Sequence, residues 1–251
     1  MNIRLDKYLA DSGFGTRSNV KLLVRSGSVL VNNKIVKDAG IKINTEIDEV
    51  IVKGEKVCFE EFEYYMLNKP AGVITATRDK NDRTVVELIK SSKRRDLFPV
   101  GRLDKDTEGL LLITNDGKLS YDLLSPGKHV AKRYLAHVTG ELMENAGEMF
   151  SEGLDIGDDK PTKPAKLTIL SVSDKQISDE DGIRNVKEYV TEVEITEGRY
   201  HQVKRMFEAV GGKVDYLKRL SMASLVLDEA LAPGEYRRLT DEEVAGLKSK
   251  T

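Results

Sequence analysis

A short acidic segment divides this sequence into two parts with different patterns, and the division constrains the fold more than any other feature. Residues 1–45 carry eight basic and three acidic side chains, although the whole chain has 40 Lys and Arg against 42 Asp and Glu. Acidic residues then accumulate before a new apolar run begins, at Glu55, Glu60, Glu61 and Glu63. Because 251 residues suffice for two modest domains, we predict a linker near 54–63 and two domains, 1–58 and 59–251.

The basic N-terminal segment has the pattern of two helices followed by a hairpin. Apolar residues recur at helical spacing within residues 5–9 and again within residues 20–24. Thr16 or Ser18 is suited to cap the second helix, and Gly27 to end it. Asn32-Asn33 then separates two short apolar runs, which predicts a tight hairpin because asparagine tolerates the positive φ of such turns.

This N-terminal module resembles the S4-type RNA-binding domain, named for a ribosomal protein. The matching stretches are residues 4–9 (RLDKYL), 16–18 (TRS) and 27–32 (GSVLVN). The resemblance covers about residues 1–48 and implies RNA binding through the second helix and its adjoining loop. The phosphate contacts that it implies are Arg17, Lys21 and Arg25. On charge alone, a solvated side chain is the favoured explanation for each of them.

The remainder of the chain alternates short strand-like runs with a few helices. Apolar or β-branched runs occur at residues 72–77, 109–114, 134–138 and 189–195. Strands outnumber helices and regular helical crossovers are missing from the pattern, which favours a mixed, mostly antiparallel sheet over a doubly wound one. The predicted fold class is therefore α+β: a small α/β S4-type domain, followed by a larger, mostly antiparallel β-sheet domain flanked by helices.

The polar segment 101–109 (GRLDKDTEG) is the strongest candidate for reactive chemistry. A buried strand at 110–114 follows it, and Asn115-Asp116-Gly117 then predicts a hairpin turn. Loops held by a buried strand are a usual way to present reactive groups. This one offers two cations and three carboxylates: Arg102, Lys105, Asp104, Asp106 and Glu108. The alternative is a surface loop with ion pairs worth ~0–1 kcal/mol each.

Four segments in order resemble the motifs of pseudouridine synthases. The catalytic motif matches within residues 101–112, and the others match at 67–72 (LNKPAG), 132–134 (KRY) and 197–206 (EGRYHQVKRM). Together with the S4-type module and residues 233–236 (PGEY), they identify a resemblance to the RsuA-type ribosomal RNA pseudouridine synthase family. The resemblance covers nearly the whole chain.

The resemblance assigns roles to individual residues. It makes Asp104 the nucleophile, Lys204 its basic partner and Tyr134 the tyrosine of the pocket, where its ring stacks on uracil. Arg102 is expected to fill the space that the extruded uridine leaves. Lys69 and the following residues are expected to form a turn that supports the active loop, without direct chemistry.

The residues themselves are compatible with these roles. In a helix from 201 to 210, four apolar residues share one stripe, and Lys204 falls on the opposite side. Without the motif, a lysine in this position is usually solvated. Aspartates are ionised at neutral pH and need no activating base. Attack at the ribose C1′, assisted elimination to a glycal and addition to the uracil ring all remain open, and the isomerisation requires no cofactor.

The expected substrate is a uridine of ribosomal RNA, specifically uridine 516 of 16S rRNA, because residues 162–167 (TKPAKL) also resemble the small-subunit enzymes. The alternatives are the same chemistry on 23S rRNA and a non-catalytic RNA-binding ribosome-assembly factor. A carboxylate glycosidase is a weaker alternative, because the chain is only 6% aromatic and lacks Trp. The partner is ribosomal RNA, either naked or in a partly assembled subunit, and the protein is expected to be a monomer.

Several sequence features bear on the compartment and on metals. One cysteine, Cys58, excludes an intramolecular disulfide framework. No apolar run approaches the ~18 residues of a membrane span, and the first residues do not form a signal peptide. We therefore expect a soluble cytoplasmic protein. The three histidines are too scattered for a metal site, and the basic cluster at 93–95 is a further candidate for phosphate contacts.

Overall fold

The computed structural model describes residues 1–90, 96–179 and 182–249. The basic cluster at 93–95 lies outside these residues. The described residues divide into two compact units, the first within residues 1–63 with 90 and 96–97, and the second within residues 64–89, 98–179 and 182–249. The change of unit after residue 63 lies close to the expected linker.

The first unit has two helices and six short strands within its described residues. The helices are α1 (Leu5–Asp11) and α2 (Arg17–Arg25). The strands are β1 (Asn2–Arg4), β2 (Val29–Val31), β3 (Lys34–Ile35), β4 (Lys42–Asn44), β5 (Val50–Val52) and β6 (Glu55–Lys56). β1 pairs with β4, and a separate four-stranded sheet has the order β3-β2-β5-β6.

Local sequence explains the elements of the first unit. The Thr16 hydroxyl accepts from the amide of Asn19 at 3.3 Å, so the predicted cap of α2 is confirmed. Asn32 and Asn33 have φ of 51° and 62°, as the predicted hairpin turn requires. Both helices bury their apolar stripes in a core that the sheet completes, with Leu5, Leu9, Val20, Val24, Val29 and Val50 among its members.

The second unit is built on a long mixed sheet. Its strands are β7 (Tyr64–Lys69), β8 (Phe98–Pro99), β9 (Glu108–Thr114), β10 (Lys132–Gly140), β11 (Lys166–Asp179), β12 (Gly182–Ile195), β13 (Gly212–Met222), β14 (Leu225–Val226) and β15 (Tyr236–Arg238). Its helices are α3 (Gly117–Leu124), α4 (Ala146–Glu152), α5 (Gln202–Ala209) and α6 (Asp241–Ser249), with 3-10 turns at Val86–Leu88 and Pro126–Lys128.

The sheet order is β11-β12-β10-β13-β9-β7-β15, with β14 beside β13 and β8 beside β9. All the strand pairs are antiparallel except β9 with β13, which run parallel and bring Gly109 beside Arg219. The predicted α+β class with a mostly antiparallel sheet is confirmed. Within the part of the chain that the structure describes, no helix is both long and apolar enough to cross a membrane.

Helices cover the sheet and complete its core. Leu119 and Leu123 of α3 and Leu247 of α6 pack in one cluster with Leu110 and Leu112 of β9. The rings of α4 and α5 meet at Phe150 and Phe207, with centroids 5.3 Å apart. β9 is thus rigidly buried, and the segment that precedes it is fixed at one end.

Two local predictions are wrong. Asp116-Gly117 does not form a hairpin turn, because the Asp116 carboxylate accepts from the amide of Leu119 at 3.0 Å and so caps helix α3. Residues 72–77 are not a strand. Apart from one bridge between Ile74 and Thr84, their hydrogen bonds include several to the neighbouring segment 101–107.

Candidate active site

The segment 101–107 forms a tight loop that ends directly on β9. The amide of Thr107 donates to the carbonyl of Asp104 at 3.1 Å, which closes a turn around Lys105 and Asp106. Gly109 has φ of 97°, and a Cβ there would overlap the backbone oxygen and nitrogen of Arg219. Only glycine therefore permits the close approach of β9 to β13 directly behind the loop.

A buried lysine holds the backbone of this loop from inside the protein. The Lys69 ammonium donates to the carbonyls of Thr107 at 2.8 Å, Pro70 at 3.1 Å and Lys105 at 3.2 Å, and its side chain has no exposed surface. Burial lowers the pKa of Lys69 to about 8, although the negative charges of Asp106 and Asp104 act in the opposite direction. Lys69 is thus a buried cation that binds three backbone carbonyls, two of which belong to the loop.

The segment after Lys69 holds the other edge of the loop. The Thr75 hydroxyl donates to the carbonyl of Leu103 at 2.7 Å and lies 3.2 Å from its amide. The amide of Gly72 donates to the carbonyl of Lys105 at 2.8 Å. These bonds fix the backbone on both sides of Asp104, so its carboxylate has a defined position.

Two basic side chains from the start of α5 surround the Asp104 carboxylate. Lys204 Nζ lies 3.6 Å from Oδ2 of Asp104, and His201 Nε2 lies 3.6 Å from Oδ1. The short bonds of Lys204 go instead to Asp106, at 2.7 and 2.8 Å. These bonds lower the pKa of Asp106 against the effect of its partial burial. The Asp104 side chain is 29% exposed, so a solute can reach it.

Helix α5 places these two side chains because one of its faces is anchored. The predicted apolar stripe is confirmed, since Val203, Met206, Phe207 and Val210 are all buried. His201 precedes the helix with φ of 49°, a left-handed conformation that costs a non-glycine residue about 1–2 kcal/mol. The strained residue is the one that immediately precedes α5 and approaches the Asp104 carboxylate.

Two arginines tie the segment before β11 to the start of α5. Arg199 donates to the carbonyls of Lys160 at 2.6 Å and Pro161 at 2.8 Å. Arg205 donates to the carbonyl of Ile156 and, at 2.6 Å, to the Asp158 carboxylate. The entrance to α5 is therefore fixed by charge-assisted hydrogen bonds.

Tyr134 lies in the sheet two strands away from β9. It is 7% exposed and stands opposite Arg219 of β13, which in turn pairs with Gly109 of β9. The buried guanidinium of Arg219 donates to the carbonyl of Leu110 at 2.7 Å. Burial and the charge of Arg219 lower the pKa of Lys132 to about 8. The register thus aligns Tyr134 with the strand that begins just after the Asp104 loop.

The remaining predicted residues lie outside this cluster. Arg102 is exposed at the start of the loop. Arg17, Lys21 and Arg25 are exposed along α2 of the first unit. Among the described residues no group of three or more His, Cys, Asp or Glu side chains is placed to hold a metal ion.

Sequence reasoning missed two contributors, Thr75 and His201. The sequence pattern places Thr75 in a strand, and it treats His201 only as one of three histidines that are too scattered for a metal site. The HQVK segment contains a signal for His201, because this histidine precedes Lys204, the predicted basic partner of Asp104, by three residues. Nothing in the sequence around Thr75 indicated that its hydroxyl would meet Leu103.

Two family models match the chain. A model described as RNA pseudouridylate synthase matches residues 63–209, and the S4 domain model matches residues 3–50. The first covers more than half of the chain. The chain belongs to the RNA pseudouridylate synthase family. As a member of that family it is an enzyme, an isomerase, and it carries an N-terminal S4 domain.

Relatives resemble this pseudouridine synthase over nearly its full length. An uncharacterised RNA pseudouridine synthase of Bacillus subtilis, YtzG, is 48% identical over 96% of this chain and 97% of its own. Ribosomal small subunit pseudouridine synthase A of Haemophilus influenzae is 39% identical over 98% and 99%. A crystal structure of a pseudouridylate synthase superimposes with a TM-score of 0.65 at 38% identity, covering 98% and 99%. The expected RsuA-type family is confirmed.

Proposed function

We propose that this pseudouridine synthase converts uridine 516 of 16S ribosomal RNA to pseudouridine, with Asp104 as its nucleophile. The observation that carries the proposal is the placement of the Asp104 carboxylate. It is accessible, its backbone is fixed from two sides, and two basic groups lie at 3.6 Å.

The different contacts of Asp104 and Asp106 support Asp104, rather than Asp106, as the nucleophile. Asp106 takes the short hydrogen bonds of Lys204, whereas Asp104 lies just beyond hydrogen-bond distance. Lys204 therefore balances the negative charge of Asp104 without engaging its oxygens. A carboxylate in this arrangement keeps its lone pairs available for a carbon centre.

The reaction that follows needs no outside reagent. In one route, an Asp104 oxygen bonds to the ribose C1′ while the N1–C1′ bond breaks and the electron pair leaves with uracil. The base turns, its C5 bonds to C1′, and the carboxylate departs with its electrons. The C5 proton is lost and N1 gains one, so the atoms balance. In elimination to a glycal the same carboxylate would act as the base.

Tyr134 and Arg102 complete the proposed site. Stacking of an aromatic side chain on a base is worth ~1–3 kcal/mol. We assign this role to the Tyr134 ring, which is 7% exposed in the unbound protein and has to be uncovered as the base enters. The exposed Arg102 stands two residues before Asp104, where it would occupy the space left by the extruded uridine. Extrusion costs a few kcal/mol, which such a replacement offsets.

The choice of RNA rests on the relatives and on the first unit. Relatives of 36–39% identity are named for the ribosomal small subunit. Arg17, Lys21 and Arg25 share an exposed face of α2, at a spacing that suits a phosphate backbone. We further propose that the protein acts as a cytoplasmic monomer. Replacing all three cations by Gln should weaken binding of a 16S fragment and reduce its salt dependence.

Chemical mapping of pseudouridine with carbodiimide tests the target. RNA from cells lacking this gene should lose the signal at position 516 of 16S rRNA and keep every other signal. Purified protein should restore it, and parallel reactions on naked 16S RNA and on small subunits would identify the form used. An unchanged 16S map with a lost 23S signal would transfer the activity to the large subunit. Unchanged maps of both RNAs would favour a non-catalytic assembly factor.

A further inference from the structure

Tyr200 is an aromatic residue that the chemistry above does not use, and its exposure is unusual. Tyr200 is 75% exposed, although it lies only two residues before the helix that carries Lys204. Its ring stacks on the imidazole of His201, with centroids 3.8 Å apart and an interplanar angle of 18°. Because one ring face is covered and most of the side chain is exposed, the other face is open to solvent.

This stack is connected directly to the proposed nucleophile. The imidazole that supports Tyr200 lies 3.6 Å from the Asp104 carboxylate. The phenol ring is thus one stacking layer beyond a residue that contacts the reacting group. A base next to a nucleoside at Asp104 is therefore within reach of this exposed ring.

The backbone beneath the two stacked rings is fixed by hydrogen bonds. The carbonyl of Tyr200 accepts from Arg205 at 3.1 Å, and Arg205 is itself bonded to Ile156 and Asp158. The left-handed backbone of His201, φ 49°, turns the chain between the two rings. A ring that already stacks on its neighbour and has an anchored backbone loses less conformational freedom when a flat ligand stacks on it.

We propose that the Tyr200–His201 stack is a binding platform for an unpaired RNA base next to the target uridine. Extrusion of the target leaves a neighbouring base without a stacking partner, and the open face of Tyr200 replaces it. Stacking accepts every base, so this platform adds affinity without adding sequence specificity. The inference extends the proposed function, since it names how the strand beside the target is held.

Tryptophan fluorescence tests the platform, because the chain contains no tryptophan. Tyr200→Trp introduces a single reporter, and Tyr121→Trp is its matched control. Tyr121 is 73% exposed, on α3 of the same unit. The probe is a 12-nucleotide oligouridine. Its addition should quench the emission of the Tyr200→Trp protein and leave that of the Tyr121→Trp protein unchanged.

Affinity for the same labelled RNA provides the second measurement. Tyr200→Leu should weaken binding about tenfold, which corresponds to about 1.4 kcal/mol. Tyr200→Phe and Tyr121→Leu should bind as the unaltered protein does, because stacking needs the ring and not the hydroxyl. Equal quenching at both positions, or unchanged binding by Tyr200→Leu, would overturn the platform.

Failure of the platform and failure of the proposed function give different results. Binding of oligouridine does not depend on turnover. Quenching at position 200 without pseudouridine formation at 16S position 516 would overturn the proposed function alone. Normal pseudouridine formation with no quenching and an unaltered affinity would overturn the platform alone.

Discussion

Two lysines contact the same loop, and they do so in different chemical environments. Lys204 is 20% exposed and faces the carboxylates of Asp104 and Asp106. Lys69 is fully buried, and its ammonium donates to three backbone carbonyls. Lys204 lies beside the carboxylate of Asp104, the proposed nucleophile, whereas Lys69 holds the backbone of the loop that carries Asp104.

The two lysines therefore differ in what they contribute: one stabilises the backbone of the loop, and the other acts on the charge of its carboxylates. A buried ammonium bonded to carbonyls is costly to remove, because each abandoned acceptor loses its partner. A partly exposed ion pair contributes little to stability, so Lys204 is available to act on charge that changes during the reaction. Substitution of Lys204 should therefore lower the reaction rate, whereas substitution of Lys69 should lower the free energy of unfolding.

The largest effect is expected from Lys204→Met. Loss of the charge beside Asp104 should reduce kcat about 10²–10³-fold, as removal of an electrostatic contact in an active site typically does. The Tm should change by no more than about 3 °C. Single-turnover assays and thermal unfolding measure the two quantities. Lys204→Arg should recover most of the activity, whereas a large fall in Tm for Lys204→Met would remove the distinction between the two lysines.

Lys105→Met is the matched control for that experiment. Lys105 belongs to the same loop, but its ammonium pairs with Asp82 at 2.7 Å and is 53% exposed. Its substitution should leave kcat within about threefold of the unaltered value. A loss as large as that of Lys204→Met would show that any cation on this loop has the same effect.

Lys69→Met should act mainly on stability. The carbonyls of Pro70 and Thr107 lose the Lys69 donor, whereas that of Lys105 keeps the amide of Gly72. The free energy of unfolding should fall by about 3 kcal/mol, within the range of ~2–6 kcal/mol for two unsatisfied groups. That loss lowers the Tm by about 6–12 °C for a protein of this size. Calorimetry measures the change. An unaltered Tm with activity lost would mean that Lys69 participates in the chemistry itself.

Thr75→Val tests the other support of the loop. Valine keeps the shape but removes the hydroxyl that bonds to both backbone groups of Leu103. We expect kcat to fall about tenfold, with KM nearly unchanged, since the carboxylate is displaced without loss of RNA contacts. Thr75→Ser should restore kcat. A change confined to KM would contradict a positioning role.

The smallest effect concerns the pH dependence of stability. The pKa of Lys69 is about 8 in the folded protein against 10.5 for an ordinary lysine. The unfolded chain therefore binds more protons between these values, and the free energy of unfolding rises with pH, by at most about 1.4 kcal/mol per unit for each such lysine. Denaturant titrations at about pH 8 and 9 should show a smaller rise in Lys69→Met. Equal slopes would exclude the lowered pKa.

The sequence predicted those elements that depend on local patterns. The stripe of α5, the Thr16 cap and the Asn32-Asn33 turn follow from periodicity and from side chains acting on their neighbours. Asp116-Gly117 was misassigned because an aspartate before a glycine suits both a hairpin turn and a helix cap. The local sequence does not distinguish the two, and the packing of α3 decides between them.

The candidate site was predictable in its members but not in its geometry. Family resemblance selected Asp104 and Lys204 together. That Lys204 bonds at short range to Asp106, and that His201 approaches Asp104, depends on how α5 meets the loop across almost 100 residues of sequence. Contacts of this kind arise from tertiary packing and leave no local pattern.

A comparison of Asp104→Asn with Asp106→Asn tests the central claim most directly, because both carboxylates meet the same lysine. Pseudouridine formation on 16S RNA and binding of that RNA would be measured for each protein. Asp104→Asn should reduce the rate at least about 10³-fold and leave the affinity within about threefold, whereas Asp106→Asn should stay within about tenfold of the unaltered rate. Full activity in Asp104→Asn, or the larger loss in Asp106→Asn, would contradict the assignment of Asp104 as the reacting carboxylate.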